Sequence, residues 1–232
     1  MGRFINADVL VSTGQGILGN NMFAYCGNNP VICLDPKGTI HYSVTPTAQF
    51  CIDVGNSLNI DLDNKYTKRH GMINGQKVFK YADESMGWGT YGNNGCGIIA
   101  IYNALQLLGI SETLGQIEAE IQYIGGYCAM GLLGIVPWAI DSYFTSHGIS
   151  CSGYSSFYAM SKDVKEGSII VFLVLNNKYT LLGGAHYMTA QYSNGEYIVY
   201  NLDDYWPEPE SRTSLFEPYG NSGFIYGYIV GG

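Results

Sequence analysis

The feature that most constrains this sequence is an apolar helical pattern beginning at Cys96. Ile98, Ile101 and Leu105 recur at helical spacings, and most of the positions between them are also apolar. Gly109 follows as a helix stop. A helix that is apolar on nearly every face has to be buried. The chain must therefore fold with other elements packed around this helix.

The elements after this helix indicate a mixed fold. Thr113 and Gln116 form a capping-box pattern that opens a second helix, and Pro137 opens a third that ends near Gly148. Strand patterns follow over residues 168–175, 186–192, 196–200 and 224–230. The pair Asn194-Gly195 predicts a tight hairpin between the second and third strands, and Asn74-Gly75 suggests an earlier one. Helices followed by antiparallel strands predict an α+β fold.

Composition excludes several classes of protein and of site. The 232 residues are 47% hydrophobic and 13% charged, with a formal net charge of -8. No basic cluster suits nucleic acid, and no apolar run approaches the roughly 20 residues of a membrane span or the core of a secretory signal. We expect synthesis in the cytoplasm without a signal peptide. None of the six cysteines has zinc-site spacing, and we expect neither a metal nor a cofactor.

Cys96 has the surroundings of a nucleophile. It lies in Gly95-Cys96-Gly97 at the start of the apolar helix, where backbone N–H groups and the helix dipole favour the thiolate. Flanking glycines let a substrate backbone approach closely. The alternative interpretation is a buried cysteine that merely begins a helix.

His186 is the histidine best placed to serve as a general base. It opens a strand after a glycine pair, and the turn at Asn194-Gly195 returns Asn201 to the same end of the hairpin. An amide there could hold the imidazole in one tautomer, with Asp203 as a reserve orienting residue. The order cysteine, histidine, asparagine is the order of papain-like cysteine enzymes.

Residues 81–232 resemble the bacteriocin-processing type of peptidase domain in its C39-like form without a transporter. The resemblance rests on Tyr81, Trp88-Gly89, Tyr91-Gly92, Gly95-Cys96-Gly97, Pro137-Trp138-Ala139-Ile140, Gly184-Ala185-His186-Tyr187 and Tyr197-Ile198-Val199-Tyr200-Asn201. It implies a papain-like fold acting on a peptide or protein substrate. It also implies Cys96 as nucleophile, His186 as general base and acid, and Asn201 as orienting residue.

The sequence departs from this family at the oxyanion hole. The family usually has a glutamine just upstream of the cysteine, whereas the nearest upstream glutamine here is Gln76. Asn93 or Asn94 could donate an N–H to a developing oxyanion beside the Cys96 amide, but an ionised Asp83 could not.

Residues 1–38 resemble the end of the RHS repeat-associated core, the terminal piece of a large β-cage that precedes variable effectors of polymorphic toxins. The matching residues are Gly2-Arg3-Phe4-Ile5-Asn6-Ala7-Asp8, Ser12-Thr13-Gly14-Gln15-Gly16, Asn21-Met22-Phe23-Ala24-Tyr25, Asn28-Asn29-Pro30-Val31 and Asp35-Pro36-Lys37-Gly38. The resemblance implies the cage of a longer parent protein as a partner, a cognate immunity protein as another, and delivery as the tip of that parent. Residues 39–80 are then a linker with a candidate hairpin.

Asp35 lies where an aspartate of the RHS family assists an autoproteolytic cut. Thr39 follows the motif where that family commonly has leucine, and the sequence matches only the last segment of the cage. The alternative is that Asp35-Pro36-Lys37-Gly38 is an ordinary turn.

These patterns favour an RHS-associated effector with a papain-like cysteine peptidase domain. Deamidation or acyl transfer through the same thioester is an alternative, as is a degenerate module that binds peptides without cleaving them. A third alternative is immunity or adhesion through the RHS segment alone.

Overall fold

The structure, a computed structural model, describes residues 33–34, 42–43, 71–179 and 184–232. The α-helices of this part of the chain are α1 (Tyr91–Asn94), α2 (Cys96–Leu107), α3 (Leu114–Tyr123), α4 (Pro137–Ser146) and α5 (Phe157–Met160). A 3-10 turn lies at Ala129–Gly131.

The strands form one large antiparallel sheet and two short pairs. The short strands are β1 (Cys33–Leu34), β2 (Tyr42–Ser43), β3 (Ser85–Met86) and β4 (Gly89–Thr90). The large sheet contains β5 (Cys151–Tyr154), β6 (Ile169–Leu175), β7 (Ala185–Ser193), β8 (Glu196–Tyr200), β9 (Glu210–Arg212) and β10 (Gly223–Val230). Its spatial order is β5-β10-β6-β7-β8-β9.

Strand β6 shows how the domain uses both faces of this sheet. Ile169, Val171 and Leu173 pack into the core that contains the α2, α3 and α4 side chains. The intervening residues Ile170, Phe172 and Val174 belong to a second core on the opposite face. Alternate residues of a strand point to opposite faces of the sheet. A strand that is buried on both faces, such as β6, therefore has a continuous run of apolar residues in its sequence.

The predicted α+β class, with a helical part followed by an antiparallel sheet, is confirmed. The Thr113–Gln116 capping box is present, with the Gln116 amide donating to Thr113 Oγ1 over 3.1 Å. The β7–β8 hairpin turns at Asn194 and Gly195, which have φ of 53° and 84°. Both values suit the type I′ turn expected of an Asn-Gly pair.

Several short elements were not foreseen from the sequence. Among them are β5, α5 and β9, which span four, four and three residues. Such lengths carry too little periodicity to separate a strand from a loop. Tertiary contacts decide them, since β5 pairs with β10 and β9 pairs with β8.

The expected hairpin at Asn74-Gly75 is wrong. The backbone N–H and C=O of Ile73 bond the side chain of Asn103, over 2.8 and 2.9 Å. The Lys77 amide donates to the carbonyl of Asp204 over 2.8 Å. With these groups engaged elsewhere, no ladder forms across the turn, and Ile73 packs instead in the helix-side core.

The RHS-like residues 1–38 lie outside the described residues, apart from β1, which pairs antiparallel with β2. Within the described ranges, no helix is both long and apolar enough to cross a membrane. The same part of the chain contains no group of three or more histidine, cysteine or acidic side chains suited to a metal ion.

The α3 cap yields a stability prediction. Thr113→Ala removes the oxygen that accepts from the Gln116 amide, and we expect it to lower the free energy of unfolding by about 1 kcal/mol. Thr113→Ser keeps the hydroxyl and should retain most of the stability. Urea titration followed by circular dichroism measures both, and equal losses in the two variants would show that the cap contributes little.

Candidate active site

Cys96 is the first residue of α2, and the glycines on either side of it are in close contact with neighbouring groups. A Cβ on Gly95 would lie 2.6 Å from the Tyr91 carbonyl oxygen. A Cβ on Gly97 would collide with the side chain of Ile135. Both glycines are therefore required by close packing at the helix start, in addition to any access that they give a substrate.

His186 lies near the start of β7, opposite Val174 of β6. Its Nε2 is 2.7 Å from the backbone oxygen of Asn201. A carbonyl oxygen only accepts hydrogen bonds, so Nε2 carries a proton. The remaining nitrogen, Nδ1, is then the basic atom of the neutral ring and the one left to hydrogen-bond with Cys96.

Cys96 and His186 form a hydrogen-bonded pair. Burial raises the pKa of the Cys96 thiol, but the hydrogen bond and charge of His186, with the amides of Tyr187 and Gly97, bring it below its ordinary value. Burial lowers the pKa of His186, but the hydrogen bond and charge of Cys96, the Asn201 carbonyl and the charge of Asp204 bring it above its ordinary value. Opposite shifts in the two groups favour a thiolate beside an imidazolium.

Asn201 holds the imidazole through its backbone rather than through its side chain. The β7–β8 ladder ends at Thr189–Tyr200, and Asn201 then takes a left-handed conformation with φ of 58°. This bend turns its carbonyl toward His186. The Asn201 side-chain nitrogen instead donates to Gln76 Oε1 over 3.1 Å.

The Asp203 carboxylate does not serve as the reserve orienting group for His186, because its hydrogen bonds go elsewhere. If β8 continued in register, Asp203 would come opposite His186, which is why strand parity favours it. Because the strand ends before Asn201, Asp203 Oδ1 instead accepts from the amides of Tyr205 and Trp206, over 2.7 and 3.1 Å.

Asp204 is a charged residue close to His186 that sequence reasoning missed. Its charge contributes to the raised pKa of His186, and its carboxylate pairs with Lys77 Nζ at 2.9 Å. In the sequence Asp204 simply follows Asp203, and nothing there indicates which of the two carboxylates acts on His186.

The side-chain nitrogens of Asn93 and Asn94, which could have served as oxyanion donors, form hydrogen bonds elsewhere. Asn94 Nδ2 donates to the carbonyl of Leu132 over 2.5 Å, and Asn93 Nδ2 donates to Thr90 Oγ1 over 3.1 Å. Gln76 Nε2 donates to the Gly92 carbonyl over 3.2 Å. The Cys96 amide, at the first position of α2, has no partner four residues back within that helix.

A cleft of about 370 Å³ opens beside His186. Its acidic lining residues are Asp203, Asp204 and Glu210, and its other lining residues are Asn176, Leu202, Tyr205, Arg212 and Tyr219. Arg212 is paired with Glu210 at 2.8 Å. Three lining side chains are thus acidic, and two of them are paired with a cation, Glu210 with Arg212 and Asp204 with Lys77.

An exposed apolar surface lies near the start of α2. Trp88, Met130 and Leu133 are 73%, 62% and 72% exposed. The Trp88 amide donates to the Met130 carbonyl over 3.0 Å, and Asn94 anchors the same loop through Leu132. Large exposed apolar side chains held together in this way are typical of binding surfaces.

Cys128 and Cys151 are the other free thiols within residues 71–179 and 184–232. Burial and the carboxylate of Asp141 raise the pKa of Cys151 to about 12. Cys151 should thus be inert where Cys96 reacts. Asp35 lies outside the described residues.

Comparisons with known proteins give likenesses to solved structures but show no family for this chain. No protein-family model matches the sequence, and no curated protein matches it. Among solved structures, the peptidase domain of Streptococcus ComA, a bi-functional ABC transporter involved in a quorum sensing pathway, is 12% identical with a TM-score of 0.43. The likeness covers 60% of this chain and 91% of that one. With identity and TM-score this low, what this chain does has to be inferred from its own contacts.

The backbone role of Asn201 can be tested with two substitutions. Asn201→Gly keeps the carbonyl and tolerates positive φ, so Cys96 should remain alkylated by iodoacetamide at neutral pH within about tenfold of the wild-type rate. Asn201→Ala adds the strain of positive φ and should react more slowly than the glycine variant. Equal and severe losses in both would show that the Asn201 side chain is required, either toward His186 or through its hydrogen bond to Gln76, and would contradict a role of the backbone alone.

Proposed function

We propose that this domain is a papain-like cysteine peptidase that hydrolyses peptide or amide bonds through a thioester. The observation that carries the proposal is the hydrogen-bonded Cys96–His186 pair, with His186 Nε2 held 2.7 Å from the Asn201 carbonyl oxygen. That arrangement supplies a nucleophile, a base of fixed tautomer and an orienting group.

The reaction follows from the protonation states of the pair. The Cys96 thiolate attacks the substrate carbonyl carbon, and the Cys96 amide donates to the developing oxyanion. His186 Nδ1–H then gives its proton to the leaving amine as the C–N bond breaks, which leaves a thioester. Nδ1 next takes a proton from water as the water oxygen attacks the thioester. Collapse releases the acid and restores thiolate and imidazolium.

The surroundings of the pair favour a peptide with two kinds of side chain. The apolar surface of Trp88, Met130 and Leu133 suits hydrophobic residues. The cleft beside His186, lined by Asp203, Asp204 and Glu210, suits neutral or basic ones.

The same proposal extends to the whole chain through the RHS resemblance of residues 1–38. In this view the peptidase is an effector carried behind the terminal segment of an RHS cage, delivered with a longer parent protein and restrained by a cognate immunity protein. A cut assisted by Asp35 would release it.

Cleavage is tested with a quenched fluorescent peptide library and the full chain. Cys96→Ala should abolish cleavage, because no other described thiol contacts His186, whereas Cys151→Ala should leave it unchanged. Release of ammonia without new peptide termini would indicate a deamidase on the same thioester. Cleavage that survives Cys96→Ala would overturn the assignment.

The shifted pKa values predict the pH dependence of kcat/KM. The thiolate–imidazolium pair exists above the lowered pKa of Cys96 and below the raised pKa of His186. Activity should rise with pH through a pKa below the usual thiol range of about 8.5. It should fall through a second pKa above the usual imidazole value of about 6.5. A single ascending limb near the ordinary thiol pKa would contradict the pair.

A further inference from the structure

Residues 72–79, here called the strap, cross between the two halves of the candidate active site. Ile73 is bonded through its backbone to Asn103 of α2, the helix that begins at Cys96. Lys77 bonds the carbonyl of Asp204 through its amide and the carboxylate of the same residue through Nζ. The strap therefore joins the nucleophile helix to the segment that follows β8.

Two strap side chains hold Asn201 itself. Asn74 Oδ1 accepts from the Asn201 backbone N–H over 2.8 Å. Gln76 Oε1 accepts from Asn201 Nδ2 over 3.1 Å, while Gln76 Nε2 donates to Gly92 just upstream of Cys96. Asn74 and Gln76 are both 2% exposed.

Asn201 needs such support because its backbone is in a region that asparagine tolerates but does not prefer. Its φ of 58° is what aims the carbonyl at His186 Nε2. A residue held in this region persists only where its surroundings fix it.

We infer that the strap is a positioning element of the active site, in which Asn74 and Gln76 hold Asn201 so that its carbonyl fixes the tautomer of His186. The inference rests on the proposed function and extends it to a segment that the sequence places in a linker. Asn74 acts through Asn201 and touches neither Cys96 nor a substrate.

Loss of the support that the strap gives Asn201 should change the reactivity of Cys96. Without the carbonyl acceptor, the charged imidazole loses one of its partners, so the pKa of His186 falls and that of Cys96 rises. Cys96 from α2 and Asp204 after β8 act on the charge of His186, and Asp204 is paired with Lys77. The other charged or titratable side chains that line the cleft beside His186 are Asp203, Tyr205, Glu210, Arg212 and Tyr219.

The test is the pH dependence of Cys96 alkylation by iodoacetamide in the full chain, mapped by peptide mass. Asn74→Ala removes the acceptor and should move the alkylation midpoint up by about one pH unit. Asn74→Asp keeps an oxygen acceptor, and its charge favours imidazolium, so the midpoint should stay at or below that of the wild type.

Three further variants separate positioning from stability. Thr113→Ala weakens the fold at α3 without touching the strap and should leave the midpoint unchanged. If Asn74→Ala does not fold, Gln76→Leu and Gln76→Glu form a second pair, in which only the glutamate retains an acceptor for Asn201 Nδ2. The leucine variant should raise the midpoint and the glutamate variant should keep it near that of the wild type.

Each outcome decides the inference. A midpoint in Asn74→Ala equal to that of the wild type would overturn it while leaving the peptidase proposal intact. A shift in Asn74→Asp as large as in Asn74→Ala would also overturn it, since a packing role would be damaged by both. A wild-type midpoint in the ordinary thiol range would overturn the proposed function and the strap's role together.

Discussion

The candidate active site depends on one hydrogen bond, from His186 Nε2–H to the backbone carbonyl of Asn201. Its length of 2.7 Å and the burial of both residues place it where water does not compete. The Asn201 carbonyl cannot take up the proton. It therefore fixes the tautomer of His186 without acting as a second base. A carboxylate in that position would add charge beside the imidazole, whereas the carbonyl orients it with a neutral dipole.

Charge around Cys96 is supplied locally rather than by the surrounding surface. Residues 81–157 contain neither lysine nor arginine, so no basic side chain of the helical part can stabilise a thiolate. The thiolate is stabilised instead by His186 and by the amides of Tyr187 and Gly97. These groups outweigh the burial that would otherwise keep the thiol protonated.

The sequence predicts those parts of the site that depend on local structure. The helix start at Cys96, the capping box at Thr113 and the Asn194-Gly195 turn each depend on a few neighbouring residues, and each is found where expected. It could not predict the contacts of Asn201 with Asn74 and Gln76, which are 127 and 125 positions away along the chain. Strand parity failed at Asn201 for a related reason, since a single residue with positive φ ends the alternation.

The chemistry of the strap is consistent with the low charge of the chain. Its buried cross-links run through the side chains of Asn74, Gln76 and Asn103, and none of these carries a charge. Burying a neutral amide with its hydrogen bonds made costs far less than burying an ion. A neutral link also leaves the electrostatic balance of the site to Cys96, His186 and the Asp204–Lys77 pair. Amide side chains can thus hold the two halves of the site together without competing with the ion pair that the proposed chemistry requires.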